Sequence, residues 1–460
     1  MPDIDLLRQP LTTTVTMVHR GEISPAELVE LSLTRIRNDP AVTSIFVEIF
    51  EAEARAQARR LRVTQDLRLA GLPIAIKNNR AIGGGLLTHG SNAMGDYRAT
   101  EEDVVVRRLV AAGAIVVGSS TLTEFAVLPG GTSARFGGTQ NPFDPTLSSG
   151  GSSCGSAAAV AAGMVAFAHA NDGAGSIRIP AALCGLVGVK TGRLLQSSSP
   201  SNPAMMSEGA LTRSSADNAL VLSVLDPLQR GLAWWGLGQS AARPMRVALS
   251  LKSPLARVVA SSDAINAVRR IGVSLAAEGH DVVEDEPPWH ENLATAFFPA
   301  TAPALIARID RQLNSSGLAA PRQRLEPYTK ELLAEAARVD VNSQQRALDS
   351  LAHMASRVDE WMSSYDAVLA PVTPENRLSL EALTGASGLR ETGPAVQGLT
   401  AFTIAANALG FAAGSFPVAG RHTGGPPGAV QVLTASGSEP ALLAIGQQIE
   451  RIGRSRVVDR

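Results

Sequence analysis

Lysine is nearly absent from this 460-residue chain: of 41 basic residues only Lys77, Lys190, Lys252 and Lys330 are lysines. Arginine fills the other basic positions, and arginine is effectively never deprotonated. A retained lysine therefore marks a place where an amine that can lose its proton has a use. Cysteine is scarce too. Cys154 and Cys184 are the only two, in core-like segments, which reads as free thiols in a reducing, cytoplasmic compartment. Charged residues are thin, at 18% with a net charge of −1, below the roughly 25% of ordinary globular chains. That balance gives no electrostatic reason to expect nucleic acid. The longest apolar run, residues 157–168, stops at His169, short of the ~20 residues that cross a bilayer. The N-terminus, MPDIDLLRQPLTTTV, lacks a basic stretch ahead of an apolar one, so neither a signal peptide nor a membrane anchor is expected. HExxH, CxxC and Walker-type Gly-Lys-Ser/Thr motifs are missing, which leaves no reason to expect a metal or an organic cofactor.

What is present is a long, apolar, glycine-rich chain: 45% hydrophobic, with 42 glycines. Its patterning alternates helices and strands. Ser24, Pro25 and Glu27 make an N-cap, a proline at the first helical position and a capping box. A second helix is expected over 51–62. GLPIAIKNN (71–79) reads as a short buried strand emerging at Lys77, and 103–120 as helix, glycine turn and strand. A turn-rich loop over 130–155, an Ala-rich helix and a strand near 164–169 follow, and then NDGAGSIRIP. This alternation argues a layered α/β fold. Residues 250–360 read as largely helical, with PPWHENLATAFFPATAP (287–303) as an irregular insert, and YDAVLAPVTP (365–374) as a returning buried strand.

The segment SSGGSSCGSAAAVAAG (148–163) poses the chemical question. Gly151-Ser152-Ser153-Cys154-Gly155 fits G-x-S-x-G, the nucleophile elbow, with Ser153 as nucleophile. An elbow sits between strand and helix and needs a histidine downstream. The preceding NPFDPTLSSGG, with two prolines and no apolar run, reads as no strand, and His280, His290, His353 and His422 lie in stretches that mark none as a base. Ser176 is the better candidate. It follows Gly173-Ala174-Gly175 directly downstream of a strand, where small residues let successive N–H groups converge on an oxyanion. Its base is then Lys77, provided burial leaves the amine partly neutral, with Ser152 carrying the proton between them.

These residues resemble the amidase signature family of Ser-cisSer-Lys amide hydrolases. The three parts are IAIKNN (74–79), GGSSCGS (150–156) and NDGAGSIRIPAALCGLVGVK (171–190), with 75 residues from Lys77 to Ser152 and 24 from Ser152 to Ser176. TEFAV, QNPFDP, GALTRSSADNALVL, APVTP and PPGAVQV extend it over most of 20–225 and again near 365–450. The resemblance implies a single three-layer α/β/α domain around a large twisted mixed sheet, spanning 1–460. Within it are N-terminal helices to about 65, a signature core over about 66–225, a divergent substrate-pocket region over about 226–360, and a return to the core over about 361–460. It implies Ser176 as the nucleophile that becomes the acyl-enzyme, and Ser152, after a cis peptide bond, as the relay. Lys77 becomes the base, and the N–H groups of Gly173, Ala174, Gly175 and Ser176 the oxyanion hole. Ser153, Asp172 and Arg178 take supporting places.

The implied activity is hydrolysis of linear amides to a carboxylate and an amine or ammonia, without metal or cofactor, on a small-molecule substrate. Acyl transfer to an amine, ammonia release for a partner subunit and a catalytically silent member stay open, as does the oligomeric state, a homodimer included. The sequence departs from the family pattern at Asn78, Cys154, Ala174 and Ala210, and the Lys190 segment lacks the usual following proline. The family's acyl pocket comes from the divergent region, here Trp234-Trp235 and 287–324. Phe297, Phe298 and Ala300 suit an uncharged or aromatic acyl group, and suit the core equally well.

Overall fold

The computed structural model describes residues 5–192, 205–226, 236, 243–255, 257–289, 293–418 and 427–458. Eleven strands form one mixed sheet. The first six in chain order are β1 (Phe46–Ile49), β2 (Pro73–Lys77), β3 (Ile115–Ser120), β4 (Phe167–Asp172), β5 (Val187–Lys190) and β6 (Ser207–Thr212). Then come β7 (Arg246–Leu249), β8 (Asp281–Glu284), β9 (Ala367–Pro371), β10 (Ala412–Pro417) and β11 (Ala429–Thr434). Across the sheet the order is β1-β3-β2-β4-β6-β5-β10-β11-β9-β7-β8. β2 runs parallel to β3 and β4, and β7 runs parallel to β8 and β9. The other pairs are antiparallel.

The helices of the first half are α1 (Leu11–His19), α2 (Pro25–Asn38), α3 (Val42–Ile45), α4 (Glu51–Arg60), α5 (Val104–Ala111), α6 (Cys154–Ala161), α7 (Arg178–Leu183) and α8 (Ser215–Leu225). Those of the second half are α9 (Ser262–Ala277), α10 (Leu293–Ser315), α11 (Pro327–Ala336), α12 (Val341–Met362), α13 (Leu389–Thr400), α14 (Ile404–Leu409) and α15 (Glu439–Val458). Successive strand side chains point to opposite faces, and the core divides accordingly. In β2, Ile74 and Ile76 pack toward α1, α5 and α8, while Ala75 packs toward α2, α4 and α6. In the other half, Val247, Leu249 and Leu369 meet α8, α9 and α15. Ala248, Val368 and Ala370 instead meet α10, α12 and α14. Each fully buried Val, Leu or Ile adds about 1.5–3 kcal/mol, so helices are held on both faces. The result is the expected α/β layering around a large mixed sheet.

Local signals account for much of this. The Ser24 hydroxyl accepts from the Glu27 N–H, and the Glu27 carboxylate accepts from the Ser24 N–H at 2.8 Å, closing the capping box. α6 is built of small residues because it must pack tightly: a Cβ on Gly155 would lie 2.3 Å from the Ile45 carbonyl oxygen.

Four expectations need correction. The segment before the serine cluster does contain a strand, Asp144–Ser148, paired with Gln140–Asn141. It forms a two-stranded ribbon outside the main sheet, because an edge pairing tolerates Pro145 as a central strand would not. The strand expected near 164–169 is β4, which starts three residues later and runs on to Asp172, so Asn171 and Asp172 are strand residues. The insert at 287–303 is not irregular throughout: α10 begins at Leu293 and continues through Pro299 and Pro303. α10 is held by packing against α11, α12 and α14, and the Thr301 hydroxyl caps the Phe297 carbonyl at 2.9 Å. The expected helix over 51–62 ends at Arg60.

Candidate active site

Parallel β2 and β4 lie side by side and end at the same edge of the sheet, the edge where α/β proteins place ligands. Lys77 closes β2, and Asn171 and Asp172 close β4. The loop before α6 runs into this edge through a cis peptide bond between Gly151 and Ser152. Lys77 is fully buried. Its Nζ donates to Ser152 Oγ at 2.9 Å and to Asn171 Oδ1 at 2.9 Å. Desolvation by burial lowers its pKa to about 7, against opposing contributions from Cys154, Glu208 and Asp172. Lys190 is a useful contrast. It is equally buried, but its Nζ donates to the carbonyls of Thr191 and Phe411 at 2.9 and 2.7 Å. A carbonyl can only accept, whereas the Ser152 hydroxyl can accept or donate.

Asn171 is a residue that motif reading passed over. Its Oδ1 also accepts from Asn79 Nδ2 at 3.2 Å, and its Nδ2 donates to Asn79 Oδ1 at 3.1 Å. The reciprocal amide pair fixes which way Asn171 points. An uncharged acceptor holds Lys77 without the negative charge that would favour its ammonium form. Both asparagines stood inside quoted motifs, and only their contact across the two strands was invisible. Beyond them, Arg80 forks onto Glu208, with Arg80 Nε at 3.3 Å and Arg80 Nη2 on Glu208 Oε1. His169 Nε2 meets Glu208 Oε2 at 2.8 Å. The histidine is therefore committed to a carboxylate, and burial holds its pKa below the usual imidazole value.

Asp172 and Arg178 form a fully buried pair, Nε to Oδ2 at 2.9 Å. The carboxylate stays at a pKa of about 2, because Arg178 and the N–H groups around it outweigh the desolvation that would raise it. Arg178 also donates to Thr403 O and Gln431 Oε1 at 2.8 and 2.7 Å, and Asn407 Nδ2 donates to Asp172 O at 3.0 Å. α14 and β11 thereby lock the loop that carries Ser176, which is why the chain returns to the core near its end.

One of the four amides expected to form the nest is already hydrogen-bonded within the loop. The Gly175 N–H donates to Asp172 Oδ1 at 2.6 Å. The amides of Gly173, Ala174 and Ser176 carry no such bond among the described residues. The small-residue pattern could not reveal this, because the Asp172 side chain takes one of the four donors for loop closure. Gly175 is still required, at φ +125°, with a Cβ there falling 2.4 Å from Thr403 Oγ1.

Ser153 and Ser176 are also told apart. Ser153 is fully buried, and its hydroxyl donates to the Ser176 carbonyl at 2.6 Å. Ser152, Asn171, Gly173, Ala174 and Ser176 line a cavity of about 670 Å³, and Ser153 does not. The far wall comes from α10, α11 and α13, with Phe297, Phe298 and Leu305 among its residues. Ala300 is instead in the core beneath α10. Trp234, Trp235, His290 and His422 lie outside the described residues. Two departures from the pattern are absorbed locally. Asn78 donates to Leu86 O and Ser119 Oγ and accepts from Thr88, an arrangement that uses both halves of the amide. Cys154 is buried, its Sγ 4.0 Å from Thr121 Oγ1, and both cysteines are free thiols.

The amidase family model matches residues 27–443. This chain belongs to the amidase family. It is 29% identical over 481 residues to the 6-aminohexanoate-cyclic-dimer hydrolase of Paenarthrobacter ureafaciens, covering 98% of this chain and 96% of that one. It is 30% identical over 469 residues to the putative amidase AmiA2 of Mycobacterium tuberculosis, covering 97% and 92%. Among solved structures, 6-aminohexanoate cyclic dimer hydrolase complexed with substrate superposes with a TM-score of 0.87 at 26% identity, covering 97% of each chain. This amidase therefore shares sequence and fold with enzymes that cleave carbon–nitrogen bonds of amides. Among its described residues no helix is long and apolar enough to cross a membrane.

Proposed function

We propose that the chain hydrolyses amides of small molecules through an acyl-enzyme on Ser176, with Ser152 as proton relay and Lys77 as base. The observation that carries this reading is the buried Lys77–Ser152 contact, at 2.9 Å, in the wall of a cavity onto which Ser176 also opens. A neutral Lys77 keeps an N–H for Asn171 and turns its lone pair to Ser152. Ser152 gives its proton to Lys77 and takes that of Ser176 as Ser176 Oγ bonds to the amide carbon. The carbonyl oxygen gains the electron pair and lies against the N–H groups of Gly173, Ala174 and Ser176. The proton returns from Lys77 through Ser152 to the leaving nitrogen, the carbon–nitrogen bond breaks, and water releases the acyl group by the same route.

The cavity falls in the 300–1,000 Å³ range of small-molecule sites. The relatives named for a cyclic dimer support ring amides as readily as linear ones. Labelling with a serine-directed fluorophosphonate followed by peptide mapping tests the reading. The adduct is expected on Ser176; an adduct on Ser153, or none on a protein that cleaves amides, overturns it.

A further inference from the structure

Two arginines line the cavity, Arg390 at an exposed position and Arg308 at a buried one. Arg308 sits one turn beyond Leu305 on α10, among the residues that line the cavity, and the residue is 9% exposed. Nη1 donates to the Phe125 carbonyl at 3.0 Å. Nε is enclosed yet reaches no acceptor, and Nη2 makes no hydrogen bond among the described residues. Nor does any carboxylate there pair with it: the acid that shares the cavity lining, Glu335, is held by Arg338. The neighbouring charge that acts on Arg308 is Arg80, of the same sign. Burial and Arg80 lower its pKa only to about 10, so the group remains a cation at neutral pH.

Burying an uncompensated charge is strongly unfavourable unless a partner arrives. The edge without hydrogen bonds has a definite shape, its Nε closed off from water in this structure. Nε and Nη2 form the side-on fork of a guanidinium, the edge that grips a carboxylate with two parallel hydrogen bonds. Elsewhere in this protein the same edge is filled: Arg55 holds Glu30 by Nε and Nη2 at 2.5 and 3.1 Å, and Arg269 holds Glu284 at 2.8 and 3.3 Å. We propose that Arg308 receives a carboxylate of the substrate, so that the preferred substrates are amides bearing a carboxylate away from the scissile bond. This rests on the cavity being the amidase site. The surrounding Phe297, Phe298 and Leu305 then hold the apolar part that joins the two groups.

Two matched series test it. On the acyl side, glutaric mono-p-nitroanilide is compared with hexanoyl p-nitroanilide. On the amine side, N-butanoyl-4-aminobenzoate is compared with N-butanoyl-4-aminoacetophenone. Wild type should favour the carboxylate in at least one series by tenfold or more in kcat/KM. Arg308→Met should reduce that preference ratio at least tenfold, and Arg308→Lys, which keeps the charge without the fork, by an intermediate factor. No preference in wild type, or a ratio unmoved in Arg308→Met, overturns the proposal. So does equal loss on both members of a pair, the result expected if Arg308 only props the Phe125 carbonyl. Calorimetric titration of Ser176→Ala with the same four compounds separates this from failure of the hydrolase reading. Carboxylate binding at least tenfold tighter than that of the neutral partner, lost in Ser176→Ala/Arg308→Met, supports Arg308 even without turnover; equal binding contradicts it.

Discussion

Around Lys77, Ser152 and Ser176 the polar side chains are tied to one another: Asn171 to Asn79, Asp172 to Arg178, Ser153 to the Ser176 carbonyl, Glu208 to Arg80 and His169. The wall contributed by α10, α11 and α13 is lined by groups such as Phe298, Leu305 and Leu332, with Arg308 left without a counter-charge among the described residues. The first region spends its hydrogen bonds on holding a geometry. The second offers surface and a free charge. A buried polar network whose groups are mostly paired, His169 Nδ1 being an exception, rigidifies its neighbourhood, whereas an apolar wall can change its shape at modest cost. On the proposed reading, reaction type rests with the first set of residues and substrate choice with the second, both lining one cavity.

The comparison breaks most sharply at Asp172. Asp172→Asn leaves the shape nearly unchanged but strips the counter-charge from a guanidinium with no exposure to water. Removing one member of a buried pair typically costs about 3–5 kcal/mol. Urea unfolding should show a loss of that order, with amide cleavage lost in parallel because the Gly175 N–H loses its charged acceptor. A loss under about 1 kcal/mol would mean that the loop is held by something other than this pair. Substitution in the wall should behave differently. Phe298→Ala should shift relative kcat/KM among acyl chains of different length by about tenfold, in line with the 1–3 kcal/mol that a hydrophobic pocket discriminates. The rate of fluorophosphonate labelling at Ser176 should change by less than threefold. A collapse of labelling in that variant would place the wall within the polar machinery and dissolve the distinction.

Much of the polar region was legible in the sequence because its elements carry local signatures. Ser24 and Glu27 announce a helix start, an apolar run ending in Lys77 announces a strand reaching an edge, and Gly173-Ala174-Gly175 announces a tight turn before Ser176. The spacing of Lys77, Ser152 and Ser176 added the family. What stayed hidden depends on contacts between distant segments. Asn171 meets Lys77 only because β4 pairs with β2. The Gly175 N–H is taken by a side chain three residues back, which no composition of small residues reveals. Pro299 and Pro303 argued against a helix, since each removes an N–H and crowds the preceding turn, yet packing against α11, α12 and α14 carries α10 through both. Arg308 looked like one of many arginines. Its distinction is that no carboxylate among the described residues pairs with it, a property of the fold.

In the proposed mechanism Lys77 acts as a base and not as a fixed charge. Lys77→Arg keeps the positive charge and nearly the reach of the side chain, but it cannot release a proton near neutral pH. The decisive measurement is single-turnover acylation by an amide in wild type and Lys77→Arg across pH 5 to 9, with Lys252→Arg as an exposed control. With a pKa lowered to about 7, Lys77 is protonated below that value and competent above it. The wild-type rate should therefore rise with pH through about 7 and level off. Lys77→Arg should be slower by more than ~10³-fold and flat over the same range, with Lys252→Arg indistinguishable from wild type. A Lys77→Arg enzyme that acylates at close to the wild-type rate, with the same pH profile, would contradict the account.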